Sequence, residues 1–388
     1  MSAKIVFVAA SSRCLIANRG DLIRQLISLG HSVSALVPKF DADEEALNSL
    51  GIPFEFIGLD RRHMNPLKDL KSCNELRIAL NRLKPDVVFS YTIKPVVYGT
   101  LAARLAGVPH VTAMICGLGY LFSGRSLKAR IGRVIARCLY AVTFPLNNVV
   151  FFQNPDDLSE VGYLGPLPFF RKAVVVAGSG VNLNQYLPQP LPVGPPKFLM
   201  VTRLLKDKGV VEFCESALRL HLEYPEVKFD ILGPHDPDLP NALSDDSVRR
   251  YRESGAVTFH PPVEDVRRFL TGCSVFVLPS MYREGTPRAI LEAMATGRGI
   301  ITSDAPGCRE TVAASGEGGY FPGQNGFLVK AGDVDSLTEA MGMMIESPEL
   351  MTKAGERSLE IARNKYNVSI VNREVIRDLV PVRIENSR

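Results

Sequence analysis

The chain holds 388 residues, enough for two domains of ordinary size, and its 46% apolar content is that of a folded protein rather than a disordered one. A formal charge of +4 is too small for whole-molecule attraction to nucleic acid or membrane, so any such affinity must come from local clustering. Seven scattered cysteines with no C-x-x-C argue against a disulfide framework and for a reducing compartment.

Met1-Ser-Ala-Lys4 leads straight into Ile5-Val-Phe-Val8, too short for the apolar part of a signal peptide, and no stretch approaches about 18 uninterrupted apolar residues. The expected location is therefore cytoplasmic. Short β-branched runs then alternate with amphipathic segments, and strands are expected at 5–8, 32–37, 54–57, 87–90, 111–114, 149–152 and 173–176. That alternation is the mark of a parallel, doubly wound α/β sheet. Residues 188–196, Pro-Gln-Pro-Leu-Pro-Val-Gly-Pro-Pro, hold five prolines, which continue neither a helix nor a central strand, and are expected to be a linker. Beyond them the alternation restarts, with strands expected at 197–202, 228–232, 257–260, 274–278, 299–303 and 326–329 and a helix from Gly209. The expected architecture is two Rossmann-like domains, 1–187 and 197–369, facing across a cleft, with ligands beyond the carboxyl ends of the strands.

Two stretches carry the chemistry. Thr202-Arg-Leu-Leu-Lys-Asp-Lys-Gly209 follows a strand and places the long cations Arg203 and Lys208 on a strand-to-helix loop, where they can neutralise a diphosphate; an exposed charged turn is the plain alternative. Glu284-Gly-Thr-Pro-Arg-Ala-Ile-Leu-Glu292 follows the run Ser274–Pro279 and carries two carboxylates eight apart. Thr286 is the expected N-cap and Pro287 the first helical residue, leaving the amides of 285–288 for phosphate. Glu284 would then meet a sugar hydroxyl and Glu292 a ribose diol. An amphipathic helix with ordinary surface acids remains the alternative.

These stretches, with Gln324-Asn-Gly-Phe-Leu-Val329, resemble family 4 of the retaining glycosyltransferases, which have the GT-B architecture. The resemblance implies that Arg203 and Lys208 contact the donor diphosphate, Glu292 the ribose and Glu284 the transferred sugar, with Gly285, Thr286 and Pro287 on the donor loop. In the N-terminal half, Leu59–Arg62 followed by Asn65–Leu70, Tyr91-Thr-Ile-Lys-Pro95 with Tyr98-Gly99, Gly117–Tyr120, Phe152–Asp157 and Gly178–Val181 are similar to the branch that includes the N-acetylgalactosaminyltransferase acting on undecaprenyl-diphosphate-linked diacetylbacillosamine, a resemblance that suggests a branch and not a substrate. Cys116 stands where many members carry a sugar-contacting histidine, and Val181-Asn182 replaces the family's Val-Asp. Arg19, Lys94 and Tyr98 are the expected acceptor contacts, with Arg61 and Arg62 as further candidates. Because the obvious acids have binding roles by resemblance, no carboxylate is left as nucleophile, and front-face return fits better than a two-step route.

The implied reaction moves a sugar from a UDP-sugar to a polyprenyl-diphosphate-linked saccharide. It needs no cofactor and no metal, although Asp41-Ala-Asp43, Asp236-Pro-Asp238 and Asp333-Val-Asp335 have the look of metal tripeptides. A soluble transferase with a small acceptor and a nucleotide-sugar-binding regulator are the rivals; no G-x-G-x-x-G follows the first strand to support a dehydrogenase. Between Gly124 and Asn154 there is no acid, while Arg125, Lys128, Arg130, Arg133 and Arg137 fall within thirteen residues. At helical spacing Arg130, Arg133 and Arg137 lie beside an apolar face of Leu127, Ile131, Val134, Ile135, Cys138 and Val142. Such a helix either lies on an anionic membrane surface, making the protein peripheral on the inner face, or packs into the core with a basic edge. Nucleic acid is not an expected partner. Residues 370–388 are expected to return to the first domain as a helix.

Overall fold

A computed structural model describes residues 2–39, 43–59, 66–124, 126–164, 167–168, 171–239, 241–313 and 321–381. The chain forms two units, one of residues 1–179 and 368–388, the other of residues 180–367.

The first unit is built on strands β1 (Lys4–Val8), β2 (Ser32–Pro38), β3 (Phe54–Ile57), β4 (Val87–Tyr91), β5 (His110–Ile115) and β6 (Val149–Phe152), a small hairpin of β7 (Tyr163–Leu164) and β8 (Leu167–Pro168), and β9 (Ala173–Val175). The main sheet is parallel in the order β3-β2-β1-β4-β5-β6-β9. Both faces are covered, which is why its strands read as near-continuous apolar runs. Ile5 and Phe7 of β1 face the first helix, Ser12–Ser28, and the last, Val368–Leu379. Val6 and Val8 face helices Pro66–Leu83 and Thr100–Leu105, and the same side of β5 and β6 packs on Leu127–Thr143. The last helix is fixed by Val375 and Leu379 in the core and by Asp378, which pairs with Lys172 at 2.5 Å.

The second unit carries β10 (Lys197–Val201), β11 (Lys228–Leu232), β12 (Val257–His260), β13 (Val275–Leu278), β14 (Gly299–Ser303), β15 (Phe321–Gly323) and β16 (Gly326–Val329) in the order β12-β11-β10-β13-β14-β16-β15, parallel except for β15 against β16. The proline stretch 188–196 belongs to this unit. Gln189 N donates to Thr296 O at 3.1 Å, and the fully buried Arg298 guanidinium donates to Pro190 O at 3.1 Å and to Leu270 O at 2.9 Å. The chain changes unit at 179–180 rather than within the prolines.

In the first sheet the chain runs outward from β1 to β3 and then restarts on the other side at β4; in the second it runs from β10 to β12 and restarts at β13. The loops after β1 and β4, and after β10 and β13, therefore lie side by side at a topological switch point, where such sheets take ligands.

Candidate active site

In the second unit the two loops at the switch point are held against each other. Gly209, with φ +80°, closes the loop after β10 so tightly that a Cβ there would lie 2.2 Å from Pro279 O at the end of β13. Met281 N donates to Asp207 O at 2.9 Å, tying the loops together. The turn Lys206–Lys208 then delivers a buried Lys208 to Glu284, and its ammonium pairs with Glu284 Oε1. Lys208 Nζ also lies 4.1 Å from the centroid of the Tyr282 ring, and Ser280 Oγ donates to Glu284 Oε1 at 3.3 Å. Glu284 and Gly285 are backed by Gly307, with φ +81°, where a Cβ would sit 1.8 Å from Gly285 O.

Arg203 lies on the same loop with its side chain exposed and in no ion pair among the described residues. Burial raises the Asp207 carboxyl above its usual range, against a hydrogen bond from Asn241 and the charges of Lys208 and Arg203. One sheltered cation paired to a carboxylate and one exposed cation thus stand on a single short loop.

The helix after β13 runs Arg288–Ala295. Thr286 does not cap it: Pro287 holds the cap position with φ −63° and ψ 115°, and its carbonyl accepts from Ile290 N at 3.1 Å. The extended ψ of the proline starts the helix one residue later than its φ alone suggests. Glu292 therefore lies one turn in, where it is buried and paired with Arg288 Nε at 2.7 Å. Burial raises the Glu292 carboxyl, opposed chiefly by Arg288 and by a hydrogen bond from Tyr186. Tyr186 is itself raised by burial and then by Glu292. Nothing in the sequence signals Tyr186, which stands 106 residues from its partner on the segment that enters the unit.

Three aspartates of the metal-like tripeptides have partners elsewhere in the unit. Asp43 and Asp333 cap helices by accepting from Ala46 N and Ser336 N, and Asp335 pairs with Arg219 at 2.5 Å. Asp41 lies outside the described residues.

In the first unit the expected acceptor contacts divide. Lys94 Nζ is 2.7 Å from Asp69 Oδ1, and Tyr98 hydroxyl donates to Asp69 Oδ2 at 3.2 Å, so both answer a buried carboxylate. Burial and then Asp69 push the Tyr98 hydroxyl up to about 12. Arg19 is buried, donates from Nη2 to Met114 Sδ at 2.7 Å and Cys116 Sγ at 3.3 Å, and has its guanidinium carbon 5.4 Å from the Tyr91 ring centroid. Burial raises the Cys116 thiol, tempered by the Arg19 charge. Arg61, Arg62 and Arg125 lie outside the described residues.

Two doubly wound domains, with a basic loop, a half-buried Glu284 and a buried Glu292 at the switch point of the second, are the architecture of a GT-B glycosyltransferase. Residues 195–347 match the family model described as glycosyl transferases group 1, and residues 18–145 match that of the glycosyl transferase 4-like domain. The chain belongs to these family 4 glycosyltransferases. It is similar, at 28% identity over 95% of this chain and 96% of the relative, to N,N'-diacetylbacillosaminyl-diphospho-undecaprenol alpha-1,3-N-acetylgalactosaminyltransferase of Campylobacter jejuni. Similarity to UDP-Gal:alpha-D-GlcNAc-diphosphoundecaprenol alpha-1,3-galactosyltransferase of Escherichia coli is also 28%, over 72% of this chain and 71% of that one. Among solved structures, sucrose-phosphate synthase of Thermosynechococcus elongatus superposes with a TM-score of 0.79 at 16% identity, covering 96% of this chain and 97% of that one. HepE of Anabaena, in complex with UDP and glucose, does so with 0.73 at 18%, covering 96% and 98%.

Proposed function

We propose that this glycosyltransferase moves a sugar from a UDP-sugar to a saccharide carried on a polyprenyl diphosphate, with retention at the anomeric carbon, in the assembly of a surface polysaccharide or glycan. The observation that carries the reading is the meeting of Lys208 with Glu284 beside the exposed Arg203 at the switch point of the second sheet. Both relatives described above are named for undecaprenyl-diphosphate-linked acceptors, and one is named for a UDP-sugar donor. Both are named for alpha linkages, the outcome of retention from an α-configured nucleotide sugar.

In this reading Arg203 and Lys208 hold the diphosphate, and Glu284 turns from its ammonium partner toward the sugar when the phosphate arrives. As the bond from the anomeric carbon to the β-phosphate oxygen breaks, charge grows on that oxygen, and preorganised cations lower the barrier. The acceptor oxygen bonds to the anomeric carbon on the same face and gives its proton to the departing phosphate. No protein nucleophile or metal enters the step. Glu292, oriented by Arg288 and Tyr186, holds the ribose; Gly285, Thr286 and Pro287 line the donor loop. Arg19 is the first-unit cation assigned to an acceptor phosphate in this reading, since its hydrogen-bond acceptors among the described residues are sulfur atoms, whereas Lys94 and Tyr98 reach an acceptor only by sharing or leaving Asp69.

No helix among the described residues is long and apolar enough to cross a membrane. A prenyl-linked acceptor is confined to the bilayer, so the enzyme works as a peripheral protein on the inner face of the cell membrane.

The test is a screen of nucleotide sugars by thermal shift, followed by turnover with a short-chain polyprenyl-diphosphate saccharide. UDP release that depends on both donor and acceptor supports the reading. Donor binding without release with any acceptor would make the protein a regulator, and release with free sugars alone would make it a transferase for small acceptors.

A further inference from the structure

On the second unit a recess of about 440 Å³ opens between the run Arg309–Ala313 and one face of the helix Pro348–Asn364. Both walls are held from beneath by buried polar or backbone contacts. Asn325, fully buried, donates from Nδ2 to Thr311 O at 2.9 Å and accepts from Ala313 N at 2.9 Å, which fixes the run. Gly355 seats the helix so close to the turn before β14 that a Cβ there would lie 2.3 Å from Gly297 O. The recess has the size of a site for a small metabolite.

Its chemistry is cationic and incompletely used. Arg309, Arg357 and Lys365 line it together with two acids, Glu310 and Glu360. Lys365 Nζ donates to Glu310 O at 2.9 Å and is in no ion pair among the described residues. Arg357 pairs through Nη1 with Glu360, while its Nε is buried without a hydrogen-bond partner. Arg309 Nε reaches Asp304 at 2.7 Å. A buried N–H without an acceptor is costly, and a guanidinium fork is matched to an oxyanion that offers it two oxygens. A phosphomonoester brings three acceptor oxygens and a charge of about −2, enough for all three cations at once, where a carboxylate brings only a single charge.

The same run leads to the donor loop. Gly307 packs on Gly285 O, Thr311 N donates to Cys308 O at 3.0 Å, and the Tyr366 hydroxyl donates to Glu310 O beside the Lys365 ammonium. A ligand that gathers Arg309, Arg357 and Lys365 therefore stiffens the chain that backs Glu284 and Gly285.

We propose that the recess between Arg309–Ala313 and the helix Pro348–Asn364 is an effector site for a small organic phosphate, whose oxygens engage Arg357, Lys365 and Arg309 and whose binding braces the support of Gly285. The ester group, not the free ion, fills the rest of the recess. The effector lowers the KM for the nucleotide sugar. That effect rests on the proposed donor site, whereas the binding is measurable without any donor.

The test is calorimetric titration of the full chain with glycerol 3-phosphate, ribose 5-phosphate, glucose 6-phosphate and inorganic phosphate, with ribose as the neutral control. At least one ester is expected to bind more tightly than inorganic phosphate, and ribose not at all. Its affinity should weaken about tenfold in Arg357→Gln and in Lys365→Gln and stay unchanged in Arg203→Ala, which alters the donor loop alone. Arg357→Gln is expected to melt as the wild type does, because its pair with Glu360 is a partly exposed one along a single helix. With that ester present the KM for the nucleotide sugar should fall about fivefold in the wild type and not in Arg357→Gln, the two enzymes being alike without it. The proposal is overturned if no ester binds, if both recess variants bind as the wild type does, if Arg203→Ala abolishes binding, or if the KM is unmoved or raised. Inorganic phosphate binding as tightly as every ester would overturn the organic ligand. Should an ester bind as expected while no nucleotide sugar turns over, the transferase reading falls and the site stands.

Discussion

The pairing of Lys208 with Glu284 makes a prediction that separates holding the fold from holding the substrate. Lys208→Met leaves the Glu284 carboxylate without its cation in a sheltered place, and breaking a buried pair costs about 3–5 kcal/mol. The two side chains keep 10% and 15% of their exposure, so water recovers part of that and about 2–3 kcal/mol is expected. In a domain of this size the melting temperature then falls by about 5–10 °C. Lys208→Met combined with Glu284→Gln removes both charges while keeping an acceptor for the Ser280 hydroxyl, and most of the lost stability should return. The coupling energy from the four proteins is expected at about 1–3 kcal/mol. Catalysis should not return: donor-dependent UDP release in the double variant should stay about 100-fold or more below the wild type. Calorimetry and a UDP-release assay on the same preparations give both readings. Single losses that simply add to within about 0.5 kcal/mol would refute the pairing, and activity recovering together with stability would refute the catalytic role.

Arg203→Ala touches a side chain that is exposed and in no ion pair among the described residues, so its stability should stay within about 0.5 kcal/mol of the wild type while kcat falls about 100-fold or more, read by urea titration and UDP release. Gly307→Ala forces a left-handed residue at a cost of about 1–2 kcal/mol and drives a methyl into Gly285 O, so the donor loop shifts and turnover should fall by about 100-fold; unchanged kinetics would show that the loop geometry does not matter. Because burial raises the Glu292 carboxyl above its ordinary value of 4.5, the folded state holds that proton more tightly than the unfolded state. This contribution to stability is therefore full at low pH and lost as pH rises from about 4.5 through the raised folded value. The stability of the wild type minus that of Glu292→Gln should accordingly decline over that span, measured by urea unfolding at stepped pH, and a flat or rising difference would contradict it.

Much of the fold was legible because parallel strands buried on both faces must be apolar throughout and short. Runs such as Val149–Phe152 and Val275–Leu278 announce themselves, and the structure places strands there. The helix start near Arg288 was off by one residue, since proline's φ suits a first helical position and only its ψ, set by the packed loop, decides otherwise. Pairings across long separations left no trace. Lys208 and Glu284 are 76 residues apart and Lys94 and Asp69 25 apart, and each meeting depends on which loops the sheet order sets side by side. The spacing of Leu127, Ile131, Val134 and Val142 revealed a stripe but not its direction, because a 3.6-residue period is the same whether the stripe faces core or solvent. The small residues Ala129, Gly132 and Ala136 on the other side were the available clue. Proline content alone did not mark the boundary between the units, because Arg298 supplies donors to the carbonyl of Pro190.

The central claim is that the loop after β10 grips the diphosphate of the donor. A crystal structure of the enzyme with UDP tests it most directly. The account predicts β-phosphate oxygens within hydrogen-bonding distance of both Arg203 and Lys208, with the ammonium shared with or released from Glu284. A diphosphate seated elsewhere, with Lys208 still closed on Glu284 and Arg203 turned to solvent, would contradict it.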